Sequence, residues 1–373
     1  MDALMLPLNW QRVRLGDIGK PCMCKRVMKH QTTRYGEIPF YKIGTFGNTA
    51  DAFISKKLFL EYKTKYSFPK KGDILISASG TIGRAVIYDG KPAYFQDSNI
   101  VWIDNDETLV KNDFLFYAYS NVKWNTEHTT ILRLYNDNFR NTLIPLPPLN
   151  EQSAIANVLS GLDRYLCALD ALILKKEGVK KALSFELLSQ RKRLKGFNQA
   201  WQKVRLGDIA NYLISNLSAE QITQQGKIKV YDVNNFIGYT DTTFISDKPY
   251  ISIVKDGSVG RVRILPPKTN ILSTMGALIA NHRTTTEFLF YLLSNFDFKN
   301  FTSGSIIPHI YFKDYKEKTI FLPPLNEQNA IANILSALDN EIISLKNKKR
   351  QFENIKKALN HDLMSAKIRV LEK

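Results

Sequence analysis

Apolar residues recur at a heptad spacing along two long stretches of the chain. From Leu162, alternating steps of four and three residues reach ten positions, of which seven are apolar. The same steps from Leu338 reach a second series that includes Ile342 and Leu363. This alternation is the period of a coiled coil, and it predicts two long helices that pack antiparallel on each other. The alternative is that each helix packs on its own globular domain.

A diproline precedes each long helix, at 147–148 and 323–324. Because proline disfavours helix at the residue before it and cannot donate in a strand ladder, each diproline closes a globular region. Asn150 and Asn326 are candidate helix N-caps. Ser160 with Asp163, and likewise Ser336 with Asp339, have the S-x-x-D spacing of a second cap. The pattern therefore predicts a short helix, a kink and then a long helix.

Short apolar runs in the regions before the helices predict strands. They are rich in β-branched and aromatic residues and are bounded by Gly, Pro and Asp. The predicted strands lie at 73–78, 85–88 and 99–103, and at 250–254, 261–265 and 277–279. Two matched segments with an acidic first turn, 113–117 and 287–291, predict short amphipathic helices. The fold class is therefore α/β, mixed α+β.

Two phrases occur twice in the chain. The segment 147–163 returns 176 residues later as 323–339, and 10–18 is repeated as 201–209. The duplication predicts a pseudo-twofold internal repeat of two globular domains and two spacer helices. The predicted boundaries are 1–149 and 197–325 for the globular domains, and 150–196 and 326–373 for the helices.

The charge of the chain indicates a polyanionic partner. Its 373 residues hold 52 Lys and Arg against 35 Asp and Glu, a formal net charge of +17. Nucleic acid is the leading candidate, since neutralised phosphates release condensed counterions; the alternative is a merely soluble basic protein. Cys22, Cys24 and Cys167 lack the spacing of a disulfide framework or zinc ribbon. With no long apolar run, we expect a cytoplasmic protein without membrane contact.

Motifs for catalysis are missing from the sequence. It has no phosphate-binding P-loop, no dinucleotide fingerprint and no tetrapeptide of the kind amino-methyltransferases use. The five histidines show no metal-ligand spacing. Asp51, Glu61 and Lys63 only loosely resemble a nuclease set. We therefore predict no catalytic residue, no metal site and no cofactor bound by this chain.

Candidate DNA contacts lie mainly on two pairs of matched loops. The Gly-rich loops 77–84 and 255–261 either bring backbone N–H groups close to phosphates or are simply tight hairpins. The loops 129–138 and 305–314 either present different base-reading side chains on a common backbone frame or have simply drifted apart in sequence. The candidate contacts are Lys42, Ser79, Thr81, Arg84, Gln96, Asn99, Arg133, Asn136 and Asn138 in the first repeat, and Lys255, Ser258, Arg261, Arg263, Asn281, Arg283, Ser305, His309 and Lys313 in the second.

The repeated phrases W-Q-x-V-R-L-G-D-I and P-P-L-N-E-Q-x-A-I-A-N-x-L-S-x-L-D resemble those of the specificity (S) subunit of Type I restriction-modification systems. The resemblance implies two target-recognition domains, a spacer of antiparallel helices and no chemistry in this chain. In that family, modification subunits methylate adenine with S-adenosylmethionine, and restriction subunits translocate and cleave DNA with ATP and Mg. One departure is the second Gly loop, which has Ser-Val-Gly where the first has Thr-Ile-Gly.

The expected function is the recognition of double-stranded DNA for a Type I complex. Each domain would read one half of an asymmetric bipartite target, and the coiled coil would set the gap. Two modification subunits, and in some systems restriction subunits, are the implied protein partners. The surface expected to dock the modification subunits comprises Asn150, Glu151, Gln152, Asn326, Glu327 and Gln328. The alternatives are a self-contained DNA nuclease or methyltransferase, and a coiled-coil scaffold that binds no DNA.

Overall fold

The computed structural model describes residues 7, 9–128, 132–304 and 306–371. The chain forms two compact units, which are described separately below. Unit 1 comprises residues 1–169 and 348–373, and unit 2 comprises residues 170–347. Each unit combines a globular region with one segment of each long helix. The four domain boundaries drawn from the sequence stay a prediction.

The first repeat contributes eleven strands and five α-helices to the described structure. The strands are β1 (Gln11–Arg14), β2 (Gly19–Met23), β3 (Ile38–Tyr41), β4 (Phe53–Ile54), β5 (Ile74–Ser77), β6 (Ala85–Ile87), β7 (Tyr94–Phe95), β8 (Ile100–Asn105), β9 (Glu127–His128), β10 (Leu132–Arg133) and β11 (Leu143–Leu146). The helices are α1 (Leu15–Ile18), α2 (Lys56–Lys65), α3 (Asn112–Tyr119), α4 (Asn136–Arg140) and α5 (Leu149–Leu188).

The second repeat contributes another eleven strands and three α-helices to the described structure. The strands are β12 (Gln202–Arg205), β13 (Ala210–Ile214), β14 (Ile228–Tyr231), β15 (Phe236–Thr240), β16 (Tyr250–Val254), β17 (Val262–Leu265), β18 (Thr269–Ile271), β19 (Met275–Ala280), β20 (Thr302–Ser303), β21 (His309–Ile310) and β22 (Thr319–Leu322). The helices are α6 (Thr286–Ser294), α7 (Phe312–Tyr315) and α8 (Leu325–Met364).

The two repeats share one sheet topology. Unit 1 has a four-stranded antiparallel sheet of order β2-β8-β5-β6, and unit 2 has the same sheet as β13-β19-β16-β17. A three-stranded sheet follows in each unit, β4-β3-β7 and β15-β14-β18, with one parallel pair. The strand pairs β1-β11, β9-β10, β12-β22 and β20-β21 complete the set. The mixed α/β fold and the internal repeat are therefore confirmed.

The central strands are buried along their whole length because both faces of the sheet are covered. In unit 1, Ile74 and Ile76 of β5 belong to a core that includes α3 and segments of both long helices. Leu75, which points to the opposite face, belongs to a second core with β3, β7 and α2. Successive residues of a strand point to opposite faces, so this strand cannot alternate apolar with polar residues. Strand β16 repeats the arrangement in unit 2.

The long helices α5 and α8 are each continuous over 40 residues, so the predicted division into a short and a long helix is wrong. Each helix begins one residue before Asn150 or Asn326, which therefore lie inside the helix. Ser160 bonds the carbonyl of Asn157 in the preceding turn and caps nothing. Helix α5 also ends earlier than expected, because Gln190 adopts a φ of 63°. Left-handed residues of this kind commonly terminate helices.

Within each unit the segments of the two long helices run antiparallel. In unit 1 the start of α5 packs on the end of α8, where the rings of Tyr165 and Phe352 lie 4.7 Å apart. In unit 2 the end of α5 packs on the start of α8, where Lys176 pairs with Glu341 at 2.8 Å. Lysines at heptad positions thus form ion pairs beside the apolar seam. The prediction that α5 and α8 pack together is confirmed.

Candidate nucleic-acid interface

The two Gly-rich loops are tight hairpins that join β5 to β6 and β16 to β17. Gly80 and Gly83 have φ values of 65° and 82°, and Gly257 and Gly260 have 83° and 79°. A Cβ on Gly83 would lie 2.1 Å from the indole nitrogen of Trp124. Positive φ and this close approach account for the glycines. The proximity of these loops to phosphates stays a prediction.

Each unit contains a second candidate loop, which includes Leu134 in unit 1 and Ile310 in unit 2. This second loop is hydrogen-bonded to the Gly-rich loop of the same unit. In unit 1, the backbone N–H of Leu134 donates to the carbonyl of Ala78 at 2.9 Å. In unit 2, Ile310 donates to Lys255 at the same distance. Bridges between extended segments pair Ser79 with Arg133 and Asp256 with His309. Arg133 and His309 therefore occupy equivalent backbone positions, as their spacing of 176 residues predicts.

Side chains converge around Arg133 in unit 1. Its Nη2 donates to Asn99 Oδ1 at 3.0 Å and to Ser98 Oγ at 3.3 Å. Ser79 Oγ donates to the same Asn99 oxygen at 2.9 Å. The structure thus brings together three of the predicted site residues, Ser79, Asn99 and Arg133. All three are buried or half-buried. The guanidinium donates to neutral acceptors, and no ion pair joins it to an acid among the described residues.

The equivalent place in unit 2 holds an acid and an imidazole. His309 Nδ1 and Asp256 Oδ1 lie 2.6 Å apart. Arg261 and Arg263 are hydrogen-bonded to Asn234, through its side-chain oxygen at 2.8 Å and its carbonyl at 2.9 Å. The same backbone frame therefore carries different side-chain chemistry in the two units.

Further candidates in unit 1 fix the segment that follows β3. Gln96 Oε1 accepts a hydrogen bond from the Ile43 backbone at 2.9 Å, and Arg84 Nη1 donates to the Phe46 carbonyl at 2.8 Å. Lys42 pairs with Asp51 at 2.8 Å, and this hydrogen bond lowers the pKa of Asp51. These contacts shape the loop around the Gly-rich hairpin.

The remaining candidates lie in several places. Thr81 and Ser258 are exposed on the Gly-rich loops, Lys255 is half-buried there, and Asn136, Asn138 and Lys313 belong to the short helices α4 and α7. Ser305 lies outside the described residues, as do residues 129–131 of the first loop. Asn281 and Arg283 lie between β19 and α6, where they donate to the Asp208 carbonyl and to Gln202 Oε1. DNA contact by any of these residues stays a prediction.

Glu151 and Glu327, predicted to face a protein partner, are buried within their own units. Trp10 Nε1 donates to Glu151 at 3.0 Å, and the guanidinium of Arg369 donates to both carboxylate oxygens. Glu327 is bound in the same way, by Trp201 at 3.0 Å and by Arg193. The tryptophan that opens each repeat is thus joined to the glutamate of the L-N-E-Q phrase.

Gln152 and Gln328 are also buried and connect three segments of the backbone. In unit 1, Gln152 accepts from the N–H of Lys111 at 2.8 Å and donates to the carbonyls of Leu109 and Pro147. Gln328 makes the corresponding bonds in unit 2. Asn150 and Asn326 are exposed. The structure therefore gives the Glu and Gln an internal role, and docking of a partner at these six residues stays a prediction.

Sequence analysis missed a tyrosine that is bound to the aspartate at the end of each repeated phrase. Tyr117 donates to Asp163 at 2.7 Å, and Tyr291 donates to Asp339 at 2.8 Å. The other oxygen of each aspartate accepts from Lys356 or Lys180. Burial, reinforced by the aspartate, raises the pKa of both tyrosines. Both tyrosines end the same four-residue sequence, F-L-F-Y, at 114–117 and 288–291. This repeat is the sequence feature that could have identified them.

The described residues contain no group of three or more His, Cys, Asp and Glu side chains placed to hold a metal ion. Over the same described residues, the helices include none with the length and apolar character needed to cross a membrane.

Comparison with known proteins gives consistent results. The family model described as Type I restriction modification DNA specificity domain matches residues 7–176 and again 198–354. A type I restriction enzyme specificity subunit of Haemophilus influenzae is 63% identical over 148 residues, which span 39% of this chain and 38% of that relative. The MjaVIII specificity subunit of Methanocaldococcus jannaschii is 25% identical over an alignment of 414 positions, covering 99% of this chain and 95% of the relative.

Solved structures share the fold. The crystal structure of a Type I restriction-modification S subunit from M. genitalium aligns with a TM-score of 0.63 at 20% identity, covering 96% of this chain and 98% of that one. A chain from a study of complex assembly and conformational transition of the type I R-M system aligns with a TM-score of 0.57 at 16% identity, with the same coverage.

Proposed function

Because the chain belongs to the Type I restriction modification DNA specificity domain family, we propose that each of its two units reads one half of a bipartite DNA target. The observation that carries this proposal is the shared backbone frame on which Arg133 and His309 take equivalent positions. One frame with two different side chains is what an asymmetric target requires, because side chains at base edges determine sequence preference.

The charge of the chain supports DNA as the ligand. An excess of 17 positive charges favours binding to phosphates through counterion release and gives affinity that falls steeply with salt. Base contacts would then add discrimination to this sequence-independent attraction. The alternative, a coiled-coil scaffold that binds no DNA, does not explain this positive charge. It predicts that the chain has no salt-dependent affinity for DNA.

The long helices are proposed to set the gap between the two half-sites. Helix α5 and helix α8 are each continuous over 40 residues, and each contributes residues to both units. A continuous helix has a fixed rise of about 1.5 Å per residue. Its length therefore translates directly into the number of base pairs that the protein ignores.

The chemistry is proposed to belong to partner subunits. Two modification subunits would dock on the repeated surface near Asn150 and Asn326 and methylate adenine with S-adenosylmethionine. Restriction subunits, where present, would use ATP and Mg to translocate and cleave the DNA. This chain would bind none of these cofactors and would carry no catalytic residue. Turnover by the purified chain alone would instead support the nuclease or methyltransferase alternative.

Long-read methylation mapping tests the proposal. A cell that lacks other adenine methylation would express this chain with its cognate modification subunit. We expect methylated adenines within one asymmetric motif that has two specified parts and an unspecified gap of fixed length. A continuous motif, or methylation without sequence preference, would contradict the proposal. The same cell expressing the modification subunit alone is the control.

A further inference from the structure

We propose that the exposed face of the strand and turn at 133–135 in unit 1 and 307–311 in unit 2 reads bases, with Arg133 recognising guanine and His309 recognising an exocyclic amino group of adenine or cytosine. This inference rests on the proposed function and adds the chemistry of one position in each half-site. It also assigns Tyr135 and Tyr311 to the same reading face.

The alternation of burial defines this face. In unit 2, Ile307 and Tyr311 are 54% and 50% exposed and His309 is half-buried, whereas Ile310 lies in the core. In unit 1, Tyr135 is 39% exposed and Arg133 is half-buried, while Leu134 lies in the core. Because successive residues in extended backbone point to opposite sides, the buried residue anchors the segment and its neighbours face outward.

The two reading faces differ mainly at one position. Tyr135 and Tyr311 correspond at the spacing of 176 residues, as do Arg133 and His309. The tyrosines are the same in both units and so cannot distinguish the two half-sites. The exchange of Arg for His is a change of hydrogen-bonding chemistry at a fixed place in the frame. This position is therefore suited to distinguish one half-site from the other.

The geometry of Arg133 suits guanine. Its bonds to Ser98 and Asn99 all use Nη2, and within the described part of the chain Nε and Nη1 have no hydrogen-bond partner. Held at one nitrogen, the planar guanidinium keeps donors for the N7 and O6 acceptors of guanine, the pairing that arginine makes most often in the major groove. Asn99 is then a positioning residue for Arg133.

The geometry of His309 suits an amino group. Asp256 can only accept a hydrogen bond when ionised, so the proton of the neutral imidazole lies on Nδ1. Nε2 is then an acceptor, and it has no hydrogen-bond partner among the described residues. In the major groove, the exocyclic amino groups of adenine and cytosine are the donors available to it.

Charge and shape favour DNA over a protein as the occupant of this face. Lys313 lies 5.6 Å from the ring of Tyr311, and Lys255 and Arg261 lie on the adjoining Gly-rich loop. The face is carried by a two-stranded antiparallel ribbon, β20-β21 in unit 2 and β9-β10 in unit 1. The major groove admits a ribbon of this kind, and its phosphates complement the flanking cations.

Methylation mapping of the complex with single variants tests the inference. Arg133→Ala should relax the requirement for guanine at one position of one half-site, reducing discrimination there by about 5- to 150-fold. His309→Ala should relax one base-pair position of the other half-site, where the donor read by Nε2 is N6 of adenine or N4 of cytosine. Arg133→Lys keeps the positive charge but replaces the planar fork of the guanidinium with a point charge on a flexible stem, so it should relax the same position to a smaller extent than Arg133→Ala. Lys175→Ala, on the exposed side of α5, is the control.

Each variant carries an internal check on folding, because the unaltered half-site must still be specified in the methylated motif. If wild type shows a bipartite motif but Arg133→Ala and Arg133→Lys both leave it unchanged, the inference is overturned. A motif left unchanged by His309→Ala would also overturn it. Wild type without any sequence-specific methylation would instead refute the proposed function itself.

Discussion

The carboxylate of Glu151 accepts hydrogen bonds from two nitrogens of Arg369, a residue 218 positions later in the sequence. It also accepts from Trp10 at 3.0 Å, so three distant segments of unit 1 meet at one buried carboxylate. The same arrangement joins Glu327, Arg193 and Trp201 in unit 2. Residues of the repeated W-Q and L-N-E-Q phrases therefore form the same buried contact in both units, and this contact connects the globular region to the helices.

The first prediction concerns the contact between Glu151 and Arg369. Arg369→Met should destabilise unit 1 by about 3 kcal/mol, because it leaves the buried Glu151 charge without its cationic partner. The free energy of unfolding from urea denaturation of the purified chain measures this. Arg12→Met, at an exposed position of β1, is the matched control. Equal stability of the two variants would contradict the structural role assigned to the pair.

The second prediction concerns pH. Burial and Asp163 raise the pKa of Tyr117 above its usual value of about 10. The folded state then holds the proton more tightly than the unfolded state, so the stabilisation is complete below pH 10 and is lost as the pH rises above it. Tyr117→Phe should lose about 1 kcal/mol at pH 7 with the hydrogen bond, and its deficit should shrink above pH 10.

Unfolding curves recorded between pH 7 and 11 provide that measurement. Tyr35→Phe, at a side chain that is 87% exposed, is the control and should follow wild type throughout. A constant deficit of Tyr117→Phe across this range would show that the tyrosine does not couple folding to its proton.

The third prediction uses two glycines with opposite expected effects. Gly83→Ala should destabilise unit 1 by about 2 kcal/mol or more, since the residue has positive φ and its Cβ would overlap Trp124. Gly178→Ala should stabilise the chain by about 0.5–1 kcal/mol, because it lies inside α5 with open space around it. Melting temperatures of the two variants should shift in opposite directions, and shifts of one sign would contradict the assignment.

The fourth prediction concerns the proposed spacing role of the helices. Insertion of seven residues at matched positions of α5 and α8 keeps the heptad phase and adds about 10 Å. The gap in the methylated motif should lengthen by about three base pairs, at ~3.4 Å each. Insertion into one helix alone is the control and should abolish methylation, because the two seams no longer match. An unchanged gap after the double insertion would refute the role.

Elements determined by local pattern could be predicted from the sequence. The heptads from Leu162 and Leu338 indicated the long helices, and apolar runs such as 73–78 and 250–254 located the central strands. The duplicated phrases revealed the internal repeat, and the matched spacing paired Arg133 with His309. Each of these depends on periodicity or identity within a short stretch, which the order of residues contains directly.

Tertiary structure decided the rest, because the deciding contacts join residues far apart in the chain. The division of the helix expected near Ser160 is absent, and from one continuous helix Glu151, Gln152 and Asp163 all reach partners in the globular region. Glu151 and Gln152 look like surface residues by type, yet partners more than 40 positions away pair and bury them. The orientation of the Arg133 guanidinium likewise depends on its hydrogen bond to Asn99, and only the folded chain brings these two side chains together.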